Sequence, residues 1–137
     1  MVLMFGAFLG LFSVGFGAYS EHGLKPIITH EEFRYLMTAI RYNQVNSVMI
    51  SSIGIARLSS HKLSNIPAFI WSGRVFVIGS ILFSFSIYLS VFLNIKELTY
   101  ITPFGGTTLM AAWALLFVSV LQLDKNGGRE KSRPSES

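Results

Sequence analysis

The chain has 137 residues, 51% hydrophobic and only 13% charged, with a mean hydropathy of +0.53. Soluble domains carry roughly a quarter charged residues, so this composition points to one domain built to sit in a bilayer. Cysteine is absent, which excludes disulfides and thiolate chemistry, and the +4 net charge forms no basic stripe for a nucleic acid to follow.

A helix needs about 20 mostly apolar residues to cross a hydrocarbon core of about 30 Å. The first such stretch, 1–19, carries no charged side chain. Gly15-Phe16-Gly17 offers a small-x-small cleavage pattern, but the segment lacks the basic start of a signal peptide, so it reads as a span. Within it Gly6 and Gly10 form a GxxxG pair, continued by Ser13 and Gly17, a small-residue stripe for close helix packing. Glu21-His22-Gly23 follows, with Gly23 placed to end a helix in a left-handed turn.

Thr29 and Glu32 have capping-box spacing. Phe33, Leu36, Met37 and Ile40 then recur at i, i+3, i+4 and i+7, one apolar face of an amphipathic helix. Residues 30–43 read as an interfacial helix that leads into a second span at 42–58. Tyr42, Asn43, Gln44 and Asn46 open that span, with Tyr42 and Asn46 one turn apart on a shared face.

Asn65 before Ile66-Pro67 is placed to cap the third span, 69–93, which carries Gly73, Ser80 and Ser84 along one side and Arg74 near its start. Thr102-Pro103 opens the fourth span, 104–123, with proline in the first helical turn. Gly105, Thr108, Ala112 and Ser119 line one face of it. The last segment, 124–137, is charged and rich in Gly and Ser, and reads as a disordered tail. The fold expected is thus an all-α bundle of four transmembrane helices over 1–123.

If both termini share a side, Arg57, Lys62, Arg74 and the four tail cations stand there, against Lys25, Arg34, Arg41 and Lys96 opposite. That imbalance favours cytoplasmic termini. His22, His30 and His61 are separated by loops and a whole span. Metal binding needs three or four convergent ligands, and there is no GxSxG, P-loop or HExxH, so no catalytic, cofactor or metal site is assigned.

GAYSEHGL at 17–24, TAIRY at 38–42, FSFSIY at 83–88 and ITPFGG at 101–106, followed by Trp113, give the chain its likeness to a known family. In this order and spacing it resembles the YgdD-like family of small bacterial inner-membrane proteins, a family of unknown function with eukaryotic transmembrane relatives. The resemblance implies a four-helix protein of the inner membrane and supplies no reaction. Its family-like residues include His22, Tyr42, Ser84, Tyr88, Thr102, Gly105 and Gly106. The chain departs from the pattern at Ser20-Glu21, where the family carries Gly-Ala, and at Asn46, where it tends to carry His.

The polar residues singled out are therefore Glu21, His22, Tyr42, Asn46, Ser84, Tyr88 and Thr102; those for helix packing are Gly6, Gly10, Gly17, Gly105 and Gly106. The functional expectation is a non-enzymatic structural, assembly or accessory component. Its partners are the lipid bilayer and either a second copy or another membrane protein, with no nucleic acid and no cofactor. The alternative is a small-solute or ion channel or transporter subunit, lined by Tyr42, Asn46, Ser80, Ser84 and Thr108.

Overall fold

The computed structural model describes residues 1–131, with side chains to Lys125. Among the described residues the structure is helical with no strand. Helix α1, Val2–Tyr19, runs into a π-helical turn at Ser20–Leu24; α2 is His30–Ser59 and α3 the short His61–Ser64. Helix α4, Pro67–Ser80, passes through a second π-helical turn, Ile81–Phe85, into α5, Ser86–Phe92. A 3-10 turn at Lys96–Ile101 leads to α6, Thr102–Lys131.

The close contacts fix an up-down-up-down order. Positions Gly6, Gly10 and Gly17 of α1 lie against Ser51, Ser47 and Ile40 of α2, so one numbering falls as the other rises. Gly79 and Phe83 face Leu109 and Gly105 in the same antiparallel sense. Two hairpins result, α1 with α2 and α4–α5 with α6, joined where α2 packs on α4 and α5. Their shared core divides into an end around Leu9, Ile50, Ile53, Phe76 and Ala112, and an end around Leu36, Ile40, Ile87 and Tyr88.

Three segments are long and apolar enough to cross a membrane: Val2–Leu24, Pro67–Phe92 and Lys96–Lys125. The fourth expected span belongs to α2, whose Asn43, Gln44, Asn46 and serines keep it below that threshold. The amphipathic helix expected at 30–43 runs on into it without a break: residues 30–59 form one helix about 45 Å long, and its stripe of Leu36, Ala39 and Ile40 is buried beside Ile87 and Tyr88.

The start of α2 follows its sequence closely. The Thr29 hydroxyl accepts from the Glu32 amide at 3.2 Å, and Glu32 accepts from the Thr29 amide at 2.9 Å. The Thr29 backbone bond, then its hydroxyl, holds the Glu32 carboxyl below the ordinary carboxylate value. A lowered value means that the box adds stability above the unfolded-state value, about 4.3, and loses it as pH falls through the folded one. Thr29→Ala is expected to cost about 1 kcal/mol at neutral pH. Amide exchange at Glu32 should rise in the variant at pH 7, and the difference should narrow without vanishing as pH falls and the carboxyl is protonated, because the bond from the Glu32 amide to the Thr29 hydroxyl does not titrate.

Other boundaries depart from expectation. Ile66, not Asn65, precedes the first residue of α4, because Pro67 at the helix start forces its neighbour into an extended conformation, φ −90° and ψ 111°. Gly23 is not left-handed; no described glycine has positive φ. The chain continues there through a wide turn closed by Lys25 N–H on Ser20 C=O at 3.0 Å, and a β-carbon on Gly23 would meet the Tyr19 ring at 3.0 Å. The left-handed residue is instead Asn94, φ 52°, after α5. Helix α6 carries on through Lys131, past the apolar stretch, since each added residue gains a backbone bond without a new nucleus. The rest of the expected tail, 132–137, lies outside the described residues.

Candidate functional site

The polar side chains of the interior fall into two groups. Most serines satisfy themselves on the preceding turn: Ser13 donates to the Gly10 carbonyl at 2.9 Å, Ser20 to Phe16 at 2.8 Å, Ser72 to Phe69 at 2.8 Å and Ser80 to Phe76 at 2.7 Å. These need no partner helix. The second group does, and it gathers where α2 crosses α5.

Asn43 and Asn46, one turn apart on α2, are buried, as are Ser84 in the π-helical turn and Tyr88 on α5. Ser84 donates across the interface to the Ala39 carbonyl at 3.3 Å. Tyr88 sits beside Asn43 and Ser84 and stacks obliquely on Phe16, ring centres 4.6 Å apart. Yet both amide atoms of Asn43, the Asn46 Nδ2 and the Tyr88 hydroxyl find no aligned protein partner. The helix register puts this cluster level with Ser13, midway along Val2–Leu24. An Asn/Ser/Tyr set at that depth can hold a neutral polar group by hydrogen bonds. It carries no side chain that exchanges protons near neutrality.

Of the residues singled out from sequence, Ser84 and Tyr88 come together here beside Asn43, with Asn46 buried one turn further along α2. Asn43 is the member missed from that set. Tyr42 does not join them: it is 52% exposed and packs outward on Phe83, centres 5.0 Å apart. The shared face with Asn46 fails because four residues rotate the helix by about 40° beyond a full turn, and the α2–α5 contact falls between them. Residues three apart, Asn43 and Asn46, straddle the buried line instead.

Glu21 lies far from any such set. It pairs with Lys25 at 2.8 Å across the π-helical turn that follows α1, and His22 is exposed beside it. Thr102 shares a 2.8 Å hydrogen bond with Ser86, tying the start of α6 to α5. With Gly106 it borders a groove of about 400 Å³ that also includes Tyr35, Phe83 and Ile87.

The packing glycines face inward. A β-carbon on Gly6 would collide with Ser51, one on Gly10 would meet Ser47 Oγ at 3.3 Å, and one on Gly17 would touch Ile40 at 3.4 Å. A β-carbon on Gly105 would collide with the Phe83 backbone, whereas one on Gly106 would stand 4.0 Å from the Phe83 ring. A β-carbon on Gly54, not singled out from sequence, would lie 2.8 Å from the Leu3 backbone. The outward surface of α2 is different in kind: Arg41, Tyr42, Gln44, Val45 and Val48 are all exposed.

A family described as a protein of unknown function (DUF423) matches residues 16–106. The UPF0382 inner membrane protein YgdD of Escherichia coli (strain K12) is 29% identical over 126 residues, 92% of this chain and 93% of that protein. A UPF0382 membrane protein of Haemophilus influenzae is 28% identical over 110 residues, 80% of this chain and 85% of its own. YwdK of Bacillus subtilis (strain 168), also a UPF0382 membrane protein, is 28% identical over 120 residues, 88% and 95% of the two chains. No solved structure matches.

Proposed function

Because this chain belongs to the DUF423 family, we propose that it is a non-enzymatic accessory component, which presents the outer face of α2 to a membrane partner. It is a multi-pass inner-membrane protein embedded in the bilayer. On this reading α2 is the fourth span, its first three turns lying at the interface and Ile40–Ile55 crossing beside Val2–Gly17.

The observation that carries the proposal is Gln44. It is exposed on α2, and the contacts of Gly10 with Ser47 and Gly17 with Ile40 place it near the middle of α1. An amide turned to hydrocarbon with nothing to bond costs several kcal/mol, while a bond to another helix returns part of that. Arg41, one turn away and also exposed, adds donors to the same face. Partner contact satisfies both. The small-residue stripes, by contrast, are used within the chain: Gly6 and Gly10 by α2, Gly105 by α4–α5.

The solute-pathway alternative needs Tyr42, Asn46, Ser80, Ser84 and Thr108 on one continuous lining. Tyr42 turns outward, and Thr108 bonds its own helix at the Phe104 carbonyl, 2.7 Å. Asn46, Ser80 and Ser84 are buried, but Ser80 also bonds its own helix at the Phe76 carbonyl, 2.7 Å, which favours the accessory reading.

Native mass spectrometry of the protein drawn from its own membrane in mild detergent tests this. A reproducible complex is expected for wild type and for His22→Ala. Gln44→Leu should lose the complex yet keep its unfolding midpoint, and Gly10→Leu should lose both. A wild-type-like complex in Gln44→Leu would sink the proposal. The cysteine-free chain suits single-cysteine labelling of the topology, with Ser59→Cys and Lys125→Cys reacting from the cytoplasm and Lys25→Cys from the opposite side.

A further inference from the structure

Two arginines share one groove at the end of the bundle where α1 begins. The groove, of about 530 Å³, is walled by Val2, Phe5, Val77 and Ile78 and edged by Arg57 from α2 and Arg74 from α4. A second, of about 210 Å³, adjoins it and also contains Arg57. The Arg57 Nε is buried with no hydrogen-bond acceptor. Among the described residues no carboxylate pairs with either arginine; the Arg74 guanidinium lies over the Trp71 ring, 5.1 Å from its centre.

Depth fits a membrane surface. From Arg74 to Phe92 the helix rises about 27 Å, close to the hydrocarbon thickness of about 30 Å, so Arg74 stands at one boundary with Trp71 outside it. Tryptophan and arginine are the side chains that anchor at that level. A buried guanidinium nitrogen without an acceptor is costly, and two cations beside an apolar wall complement a ligand that is anionic at one end and hydrocarbon at the other.

We propose that this groove binds an anionic phospholipid, its phosphate between Arg57 and Arg74 and an acyl chain along Val2, Phe5, Val77 and Ile78. Arginine matches phosphate through its planar fork of donors. The apolar wall distinguishes a lipid from a free phosphate, which has nothing to place there. This site lies at the end of the bundle, away from the α2 face proposed for a partner.

The test uses the full chain in mild detergent, titrated with phosphatidylglycerol, phosphatidylcholine or inorganic phosphate, with bound lipid counted by native mass spectrometry. Wild type is expected to prefer phosphatidylglycerol over phosphatidylcholine, each arginine accounting for about a fivefold preference. Arg74→Gln and Arg57→Gln should each lose their share, and Lys125→Gln, at the same end, should lose none. Arg74 is exposed, so its variant folds and decides the matter even where Arg57→Gln does not. Equal binding of both lipids, or an unchanged preference in Arg74→Gln, overturns the site. Full displacement by millimolar inorganic phosphate would assign it to a free anion and overturn the lipid.

Discussion

Replacing Gly105 with valine is expected to destabilise the bundle by about 3 kcal/mol or more, at the upper end of what overpacking costs. The reason is what stands opposite. A β-carbon at 105 would lie 2.6 Å from the Phe83 Cα and closer still to its amide nitrogen, and backbone does not swing aside as a side-chain tip does. Phe83 is the central residue of the π-helical turn Ile81–Phe85, where the widened helix meets α6. The neighbouring Gly106→Ala should be nearly silent, because its nearest contact is an ordinary one at 4.0 Å. Gly15→Ala, in open space, should stabilise by about 0.5–1 kcal/mol through helix propensity alone. Denaturation in detergent of the three variants measures the ordering; equal midpoints for positions 105 and 106 would refute the close-approach argument.

The second large effect runs the other way. Asn43→Leu is expected to raise stability by about 1–3 kcal/mol, the usual cost of leaving buried polar groups unpaired. Both amide atoms of Asn43 are buried without an aligned partner at zero exposure, and leucine has the same branched outline and number of side-chain heavy atoms. Tyr88→Phe removes one orphan hydroxyl with no change in shape, so its gain should be smaller, about 1 kcal/mol. Since the two groups touch, the double variant should gain less than the sum. Thermal unfolding of the four proteins completes the cycle. A loss of stability in Asn43→Leu would mean that the amide is satisfied by a bound guest, making the midplane cluster a binding site.

Both expectations rest on features that the sequence carries unevenly. The capping box of Thr29 and Glu32 is readable because its spacing is set by local geometry alone. The stripe of Gly6, Gly10 and Gly17 is readable as one face, since small residues at helical spacing mark a line of approach. Gly54 was not, because a lone glycine in a helix signals nothing until the opposing Leu3 backbone is known. The polar cluster was half legible. Asn46, Ser84 and Tyr88 stood out as polar groups among apolar neighbours, but choosing Tyr42 over Asn43 is a matter of helix phase, fixed only by where α5 lands on α2. The π-helical turns at Ser20–Leu24 and Ile81–Phe85 depend on hydrogen-bond register, to which composition is blind. The span expected at 42–58 is harder to judge for a related reason: Asn43 and Asn46 lower the hydropathy of α2 although both are buried within the bundle.

The self-bonded serines bear on how the protein is made. Ser13 on α1 and Ser72 and Ser80 on α4 carry their hydrogen bonds within a single helix, so these three hydroxyls are satisfied before any helix meets another. Helix α2 has no such independence: Asn43 and Asn46 find shelter only against neighbouring helices. With α2 as the proposed fourth span, its release is coupled to theirs, α1 and α2 arriving as a hairpin and the asparagines covered once α5 meets them. Biogenesis, in this chain, is then ordered by the two buried amides and by the Ser84 and Tyr88 hydroxyls that stand on the facing helix.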